Sequence, residues 1–295
     1  MTTTELPTTA RAAKIARLEA AAARIRHHAL TMGEVQGQGY IGQALGVADV
    51  LAAFYARGDG ELRLRPEDPE WDGRDRFLLS IGHYAIALYA ALAEAGTIPL
   101  AEIETYGSDD SRLPMSGMAS YTPGMEISGG SLGHGLGVAC GMGLGLRHRG
   151  NPARVINLLS DGELDEGSTW EAAMACAHHG LANVTAVVDV NGLQADGPTP
   201  GVLKTEPVTE KWRAFGWHAV RVDGNDVGAL LDALDEIRDH ALQPGAGPSV
   251  LICDTRTGRG VPFLESREKA HFMPVAEHEW QAAHSALDAA PEARR

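Results

Sequence analysis

The 295-residue sequence is short of cysteine and shows no pattern in what it has: Cys140, Cys176 and Cys253 are widely spaced, odd in number and without a Cys-x-x-Cys pair. That excludes a disulfide framework and fits reduced thiols in a cytoplasmic protein. No His-Glu-x-x-His segment or cysteine cluster offers zinc spacing. No apolar run approaches the roughly 20 residues that cross a bilayer. The opening MTTTELPTTARAAK has no apolar stretch of the kind a secretory signal carries. Positive charge is scarce too: 25 Lys and Arg against 39 Asp and Glu leave a formal net charge of −14. Such a surface does not attract nucleic acid or an anionic membrane, although a few local cations suffice to hold a phosphorylated substrate.

What is present reads as one large soluble domain. Hydrophobic residues make up 44% of the chain and charged residues 22%, ordinary values for a globular protein with a sizeable core. No repeat or low-complexity linker divides it. The expected organisation is a flexible polar N-terminus over residues 1–10, a single domain over 11–295, and a helical tail at 275–289. The Ala-rich run from Arg11 to Met32 predicts a helix, as does 47–56. RFLLS (76–80) predicts a strand, and 84–96 a helix ended by its glycine. The Gly-rich stretch 129–145 predicts a helix that a ligand or another backbone can approach closely. Strands at 154–159, 184–189, 217–222 and 248–253 then alternate with helices at 167–179, 207–215 and 226–241. That alternation predicts an α/β fold, a parallel sheet with helices on both faces.

In such sheets a ligand lies beyond the carboxyl ends of the strands. Asp161-Gly162 closes one strand and Asn191 the next, while His83 and the segment Thr255–Gly260 also follow strands. Asp-Gly and Asn-Gly are common turns, so either alone says little. Bracketing one strand-helix-strand unit, a carboxylate and an amide oxygen suit a hard divalent cation that also holds a diphosphate. Gly162 lets backbone approach a phosphate, and the helix that follows can turn its N-terminal N–H groups to an anion. His83 in SIGHY also admits a capping or core role. His178 and His179 fall late in a helix, where cations suit the dipole, and are read as structural.

Together with the blocks LSIGHYAIALYAALAEAG (79–96), PGMEISGGSLGHGLGVACGMGLG (123–145) and the late TGRG…His271, this pattern resembles the thiamine diphosphate-binding half of a transketolase, over about residues 14 to 275. The resemblance implies that Asp161, Asn191 and the Leu193 carbonyl ligate Mg²⁺ or Ca²⁺, and that Gly162 and His83 contact the diphosphate. It implies that Gly130 and Leu132 face the pyrimidine ring, and that His271 reaches the diphosphate and the reacting centre. Glu166 matches an acidic residue in the network linking paired active sites; His83, His271 and Glu166 are thus the catalytic candidates. Tyr40 and Met118 stand where the family has substrate-contacting histidines, and a thioether cannot donate a hydrogen bond. The substrate pocket is therefore expected to differ from one made for ordinary sugar phosphates.

The sequence ends before the family's pyrimidine-binding and C-terminal domains. As in split transketolases, a companion subunit is expected to supply them, in an α2β2 assembly acting on sugars or sugar phosphates. Two rival readings remain: a subunit of a 2-oxo acid dehydrogenase or acyloin synthase, and a non-catalytic assembly partner.

Overall fold

A computed structural model describes residues 8–267 and 271–289. Its centre is a five-stranded, all-parallel sheet of β1 (Arg76–Leu79), β2 (Val155–Ser160), β3 (Val184–Val190), β4 (His218–Asp223) and β5 (Ser249–Asp254). The spatial order is β1-β2-β3-β5-β4. The α-helices of six residues or more are α1 (Thr8–Gln36), α2 (Ile41–Gly46), α3 (Ala48–Tyr55), α4 (Ala85–Ala95), α5 (Gly135–His148), α6 (Gly167–His178), α7 (Val208–Ala214), α8 (Val227–Ala241) and α9 (Glu277–Ala289).

Strands covered on both faces must be apolar at successive positions, because neighbouring side chains point to opposite layers. Ile156, Leu158, Val187, Leu251 and Cys253 enter the layer built by α1–α4 and α8. Their neighbours Val155, Leu159, Ala186, Val188, Val250 and Ile252 enter the layer built by α5, α6 and α7. The expected fold class is thus what the chain adopts. Along α1, Leu18, Ala22, Ile25, Ala29 and Met32 are fully buried at helical spacing, each large side chain contributing about 1.5–3 kcal/mol by its removal from water.

Two expectations need correction, the N-terminal boundary and the start of the Gly-rich helix. Residues 8–10, assigned to the flexible N-terminus, already belong to α1; residues 1–7 lie outside the described residues. The helical tail expected at 275–289 is α9, whose Trp280, Ala283 and Leu287 are buried against α1. It seats there because Gly33 leaves room: a Cβ at that position would stand 2.9 Å from the Trp280 ring. The Gly-rich helix starts at Gly135 rather than residue 129. Residues 129–134 form a loop whose Gly130 and Gly133 have φ of 129° and 81°, outside the helical region.

Candidate active site

The carboxyl ends of β1, β2, β3 and β5 bring His83, Asp161, Asn191 and Thr255 to one edge of the sheet. Register explains it: Asp161 N–H donates to Asp189 O and Thr255 N–H to Val190 O, each 2.9–3.1 Å away. Strand β3 therefore holds its neighbours' terminal residues level.

The organising group is Asp189, a fully buried carboxylate that spacing along the chain does not single out. It accepts hydrogen bonds from Tyr84 Oη at 2.8 Å, Asn191 Nδ2 at 2.9 Å and Thr255 Oγ1. Asn191 Nδ2 also donates to Tyr84 Oη, 2.7 Å away. A carboxylate can only accept, so the amide must turn its NH2 toward Asp189 and its oxygen the other way. That oxygen accepts from Leu193 N at 3.0 Å. A charged residue inside VTAVVDV is the available signal, since a buried carboxylate needs partners.

Asp161 sits beside this amide, 1% exposed. Its Oδ1 accepts from Gly162 N at 2.9 Å, and its Oδ2 from Gly192 N at 3.0 Å and Thr199 Oγ1 at 2.8 Å. The Gly192 bond ties the two strand ends directly. Burial raises the Asp161 carboxyl to about 6, Asp189 adding to the rise and the Thr199 hydroxyl opposing it. A cation among these oxygens would remove that penalty. Asp161 and Asn191 could hold such a cation through a carboxylate and an amide oxygen, hard donors that fit Mg²⁺ or Ca²⁺ better than a softer metal.

A second network shapes the loop before α5. Glu163, 1% exposed and also unanticipated, accepts from Gly133 N at 2.8 Å and from the Ser80 hydroxyl. Ser80 Oγ in turn accepts from Gly135 N at 3.0 Å. Burial pushes the Glu163 carboxyl up to about 7. Gly130 N–H reaches Ser80 O at 3.4 Å. Leu132 packs on the core, and Glu166, exposed at the start of α6, lies under Gly133, whose Cβ would come within 2.7 Å of Glu166 Cβ.

The third group is aromatic and imidazole. The Tyr40 ring stands 4.5 Å from His83, 5.4 Å from His271 and 5.1 Å from Phe272, and the two imidazoles are 5.4 Å apart. Met118 is partly exposed on a segment tethered by Gly117 N–H to Gly82 O at 3.2 Å. Of the site residues expected from the sequence, Asp161, Gly162, Asn191 and Leu193 fall in the first group, Gly130, Leu132 and Glu166 adjoin the second, and Tyr40, His83 and His271 form the third, while the Met118 side chain joins none of them. His178 and His179 stay apart at the end of α6.

Burial, and secondarily His271, lowers the His83 imidazole from 6.5 to about 4. A folded value below the unfolded one means the unfolded chain binds more protons across this window. The stability contributed is complete above pH 6.5 and is lost as pH falls toward 4. The native chain should lose about 2 kcal/mol from this group between pH 7.5 and 5. Urea unfolding at the two pH values, with His83→Gln as control, measures it. An equal slope in the variant contradicts the assignment.

The family model for the transketolase thiamine diphosphate-binding domain matches residues 18–294. A putative transketolase family protein of Sinorhizobium fredii is 62% identical over 268 residues, covering 91% of this chain and 94% of the relative. One of the named subunits of an apulose-4-phosphate transketolase, from Actinobacillus succinogenes, is 39% identical over 233 residues, 79% of this chain and 82% of the relative. The crystal structure of transketolase from Campylobacter jejuni superposes with a TM-score of 0.83 at 27% identity, over 92% of this chain and 42% of that one. The chain thus spans less than half of that transketolase. Among the described residues no helix is long and apolar enough to cross a membrane.

Proposed function

We propose, from the premise that the chain belongs to the transketolase thiamine diphosphate-binding domain family, that it is the diphosphate-holding subunit of a two-component enzyme. That enzyme transfers a two-carbon ketol unit from a ketose or ketose phosphate to an aldehyde. The observation that carries the reading is the Gly192–Asp161 bond beside an Asn191 amide whose orientation Asp189 fixes. It ties the ends of two strands together beside glycine backbone that a diphosphate can approach, which supports a cation held between Asp161 and Asn191.

In this reading Asp161, Asn191 and the Leu193 carbonyl hold Mg²⁺ or Ca²⁺, Gly162 and His83 hold the diphosphate, and Gly130 and Leu132 face the pyrimidine. The bound cofactor supplies an electron sink for C–C cleavage. The chain positions it and moves protons. Burial keeps both His83 and His271 below their usual range, so each is neutral at pH 7 and can meet a substrate oxygen with an N–H or a lone pair, as its tautomer sets. Tyr40 and Met118 line the substrate side, and Glu166 lies where the paired sites would communicate.

The companion carries the pyrimidine-binding and C-terminal domains, in a cytoplasmic α2β2 assembly. The name of the Actinobacillus relative, which is that of a transketolase subunit, supports a divided enzyme. Co-expression with the companion, followed by assay across ketose donors and aldehyde acceptors, tests the proposal. Ketol transfer dependent on both chains is expected; CO₂ release from pyruvate in its place would overturn it.

A further inference from the structure

Gln43 is 1% exposed in α2 and belongs to none of the groups described so far. Its Nε2 lies 3.0 Å from Nδ1 of His271, 228 residues away, and its Oε1 is buried without a partner. A glutamine kept dry with half its hydrogen-bonding capacity unused costs free energy, which makes a purely space-filling role a poor explanation. An apolar side chain of the same size would fill that space without the penalty.

The pairing is built in by backbone on both sides. Residues Gln38–Gly39, just before α2, pair antiparallel with Met273–Pro274, just after His271. Helix α2 is fixed from the other direction: Gly42 O accepts from Gly258 N at 2.7 Å, and Gly46 O from Asn225 Nδ2 at 2.8 Å. The Gln43 side chain therefore approaches His271 from a rigid support. Among the described residues, the rings of Tyr40 and His83 also face this imidazole.

We propose that Gln43 is a positioning residue: its amide NH2 donates to His271 Nδ1 and fixes the neutral ring with its proton on Nε2. His271 then presents Nε2–H, a donor, to the oxygen it meets. This rests on the assignment of His271 to the reacting centre only for its consequence; the tautomer itself is a property of the chain. Burial supports it by keeping the ring uncharged.

The test is nitrogen-15 NMR of the histidine rings in the full-length chain, with His271 identified by its loss in His271→Gln. The expected spectrum at neutral pH shows His271 protonated on Nε2. In Gln43→Leu both tautomers should appear, as in a free imidazole. In Gln43→Glu the carboxylate can only accept, so the proton should move to Nδ1 and the apparent pKa of His271 should rise by about one unit, a tenfold change in protonation. An Nδ1–H ring in the native chain would overturn the proposal, as would native-like ring signals in both variants. If Gln43→Glu does not fold, Gln43→Leu alone decides, because it removes no charge and little volume.

In the complex with its companion and thiamine diphosphate, Gln43→Glu should move the acidic limb of the pH–rate profile upward with the ring's pKa. An inert complex together with the expected NMR result would count against the proposed reaction and leave the positioning role standing.

Discussion

Asp161→Ala should remove the cofactor-dependent stabilisation of the chain and lower ketol transfer by the complex at least about 100-fold. The lower bound follows from metal sites in general, where losing a residue that merely orients a ligand costs about 10–100-fold. Losing the sole carboxylate among the proposed donors costs more. The native protein, given thiamine diphosphate and Mg²⁺ at about 100 times Kd, should gain about 2.7 kcal/mol against unfolding; the variant should gain none. Without cofactor the substitution strands Gly192 N and the Thr199 hydroxyl, a cost of about 1–3 kcal/mol. Asp161→Asn removes the charge and one of the two accepting oxygens; with its amide oxygen toward Gly192 N and Thr199 Oγ1 only the Gly162 N bond is lost, so it disturbs folding less than Asp161→Ala while removing the carboxylate from the proposed metal site. Thermal unfolding with and without cofactor, beside the coupled assay, measures both effects. Full activity in either variant would show that the metal site plays no part.

The second large effect concerns packing. Gly82→Ala should destabilise the chain by about 1–3 kcal/mol or more, the range for forced overpacking, and weaken cofactor binding together with it. A Cβ at Gly82 would stand 2.3 Å from the Gly129 carbonyl carbon, and one at Gly129 only 2.4 Å from Leu79 O. Backbone meets backbone here, so no side chain can swing aside. The displaced segments carry His83 on one side and Gly130 on the other. The two losses should therefore appear together in a denaturant titration and a binding isotherm. A variant with native stability and native affinity would mean the loops adjust freely, against the rigid edge described above.

The architecture is readable from the sequence because its signals are local. Continuous apolar runs such as VINLLS and TAVVDV, separated by amphipathic segments, permit few arrangements besides a doubly covered parallel sheet. The start of α5 is misplaced by composition because Gly129–Gly135 looks helix-compatible. Its conformation is instead set by Ser80, 55 residues from the Gly135 N–H that it accepts, and by Glu163, 30 residues from Gly133. Asp161 and Asn191 can be found because each ends a strand beside a glycine. Asp189, Glu163 and Gln43 cannot be ranked the same way. Their importance comes from partners on other elements, Tyr84 and Thr255 for the first and His271 for the last. Spacing along the chain does not reveal such pairings; only the closed sheet edge does.

The central claim, that this chain grips the cofactor by its diphosphate end through a divalent cation, is tested most directly by competitive calorimetry on the full-length chain. Thiamine diphosphate should bind only when Mg²⁺ or Ca²⁺ is present, inorganic pyrophosphate with the same metal should displace it, and thiamine without phosphates should not. Metal-independent binding, or displacement by thiamine as effective as by pyrophosphate, would contradict the account.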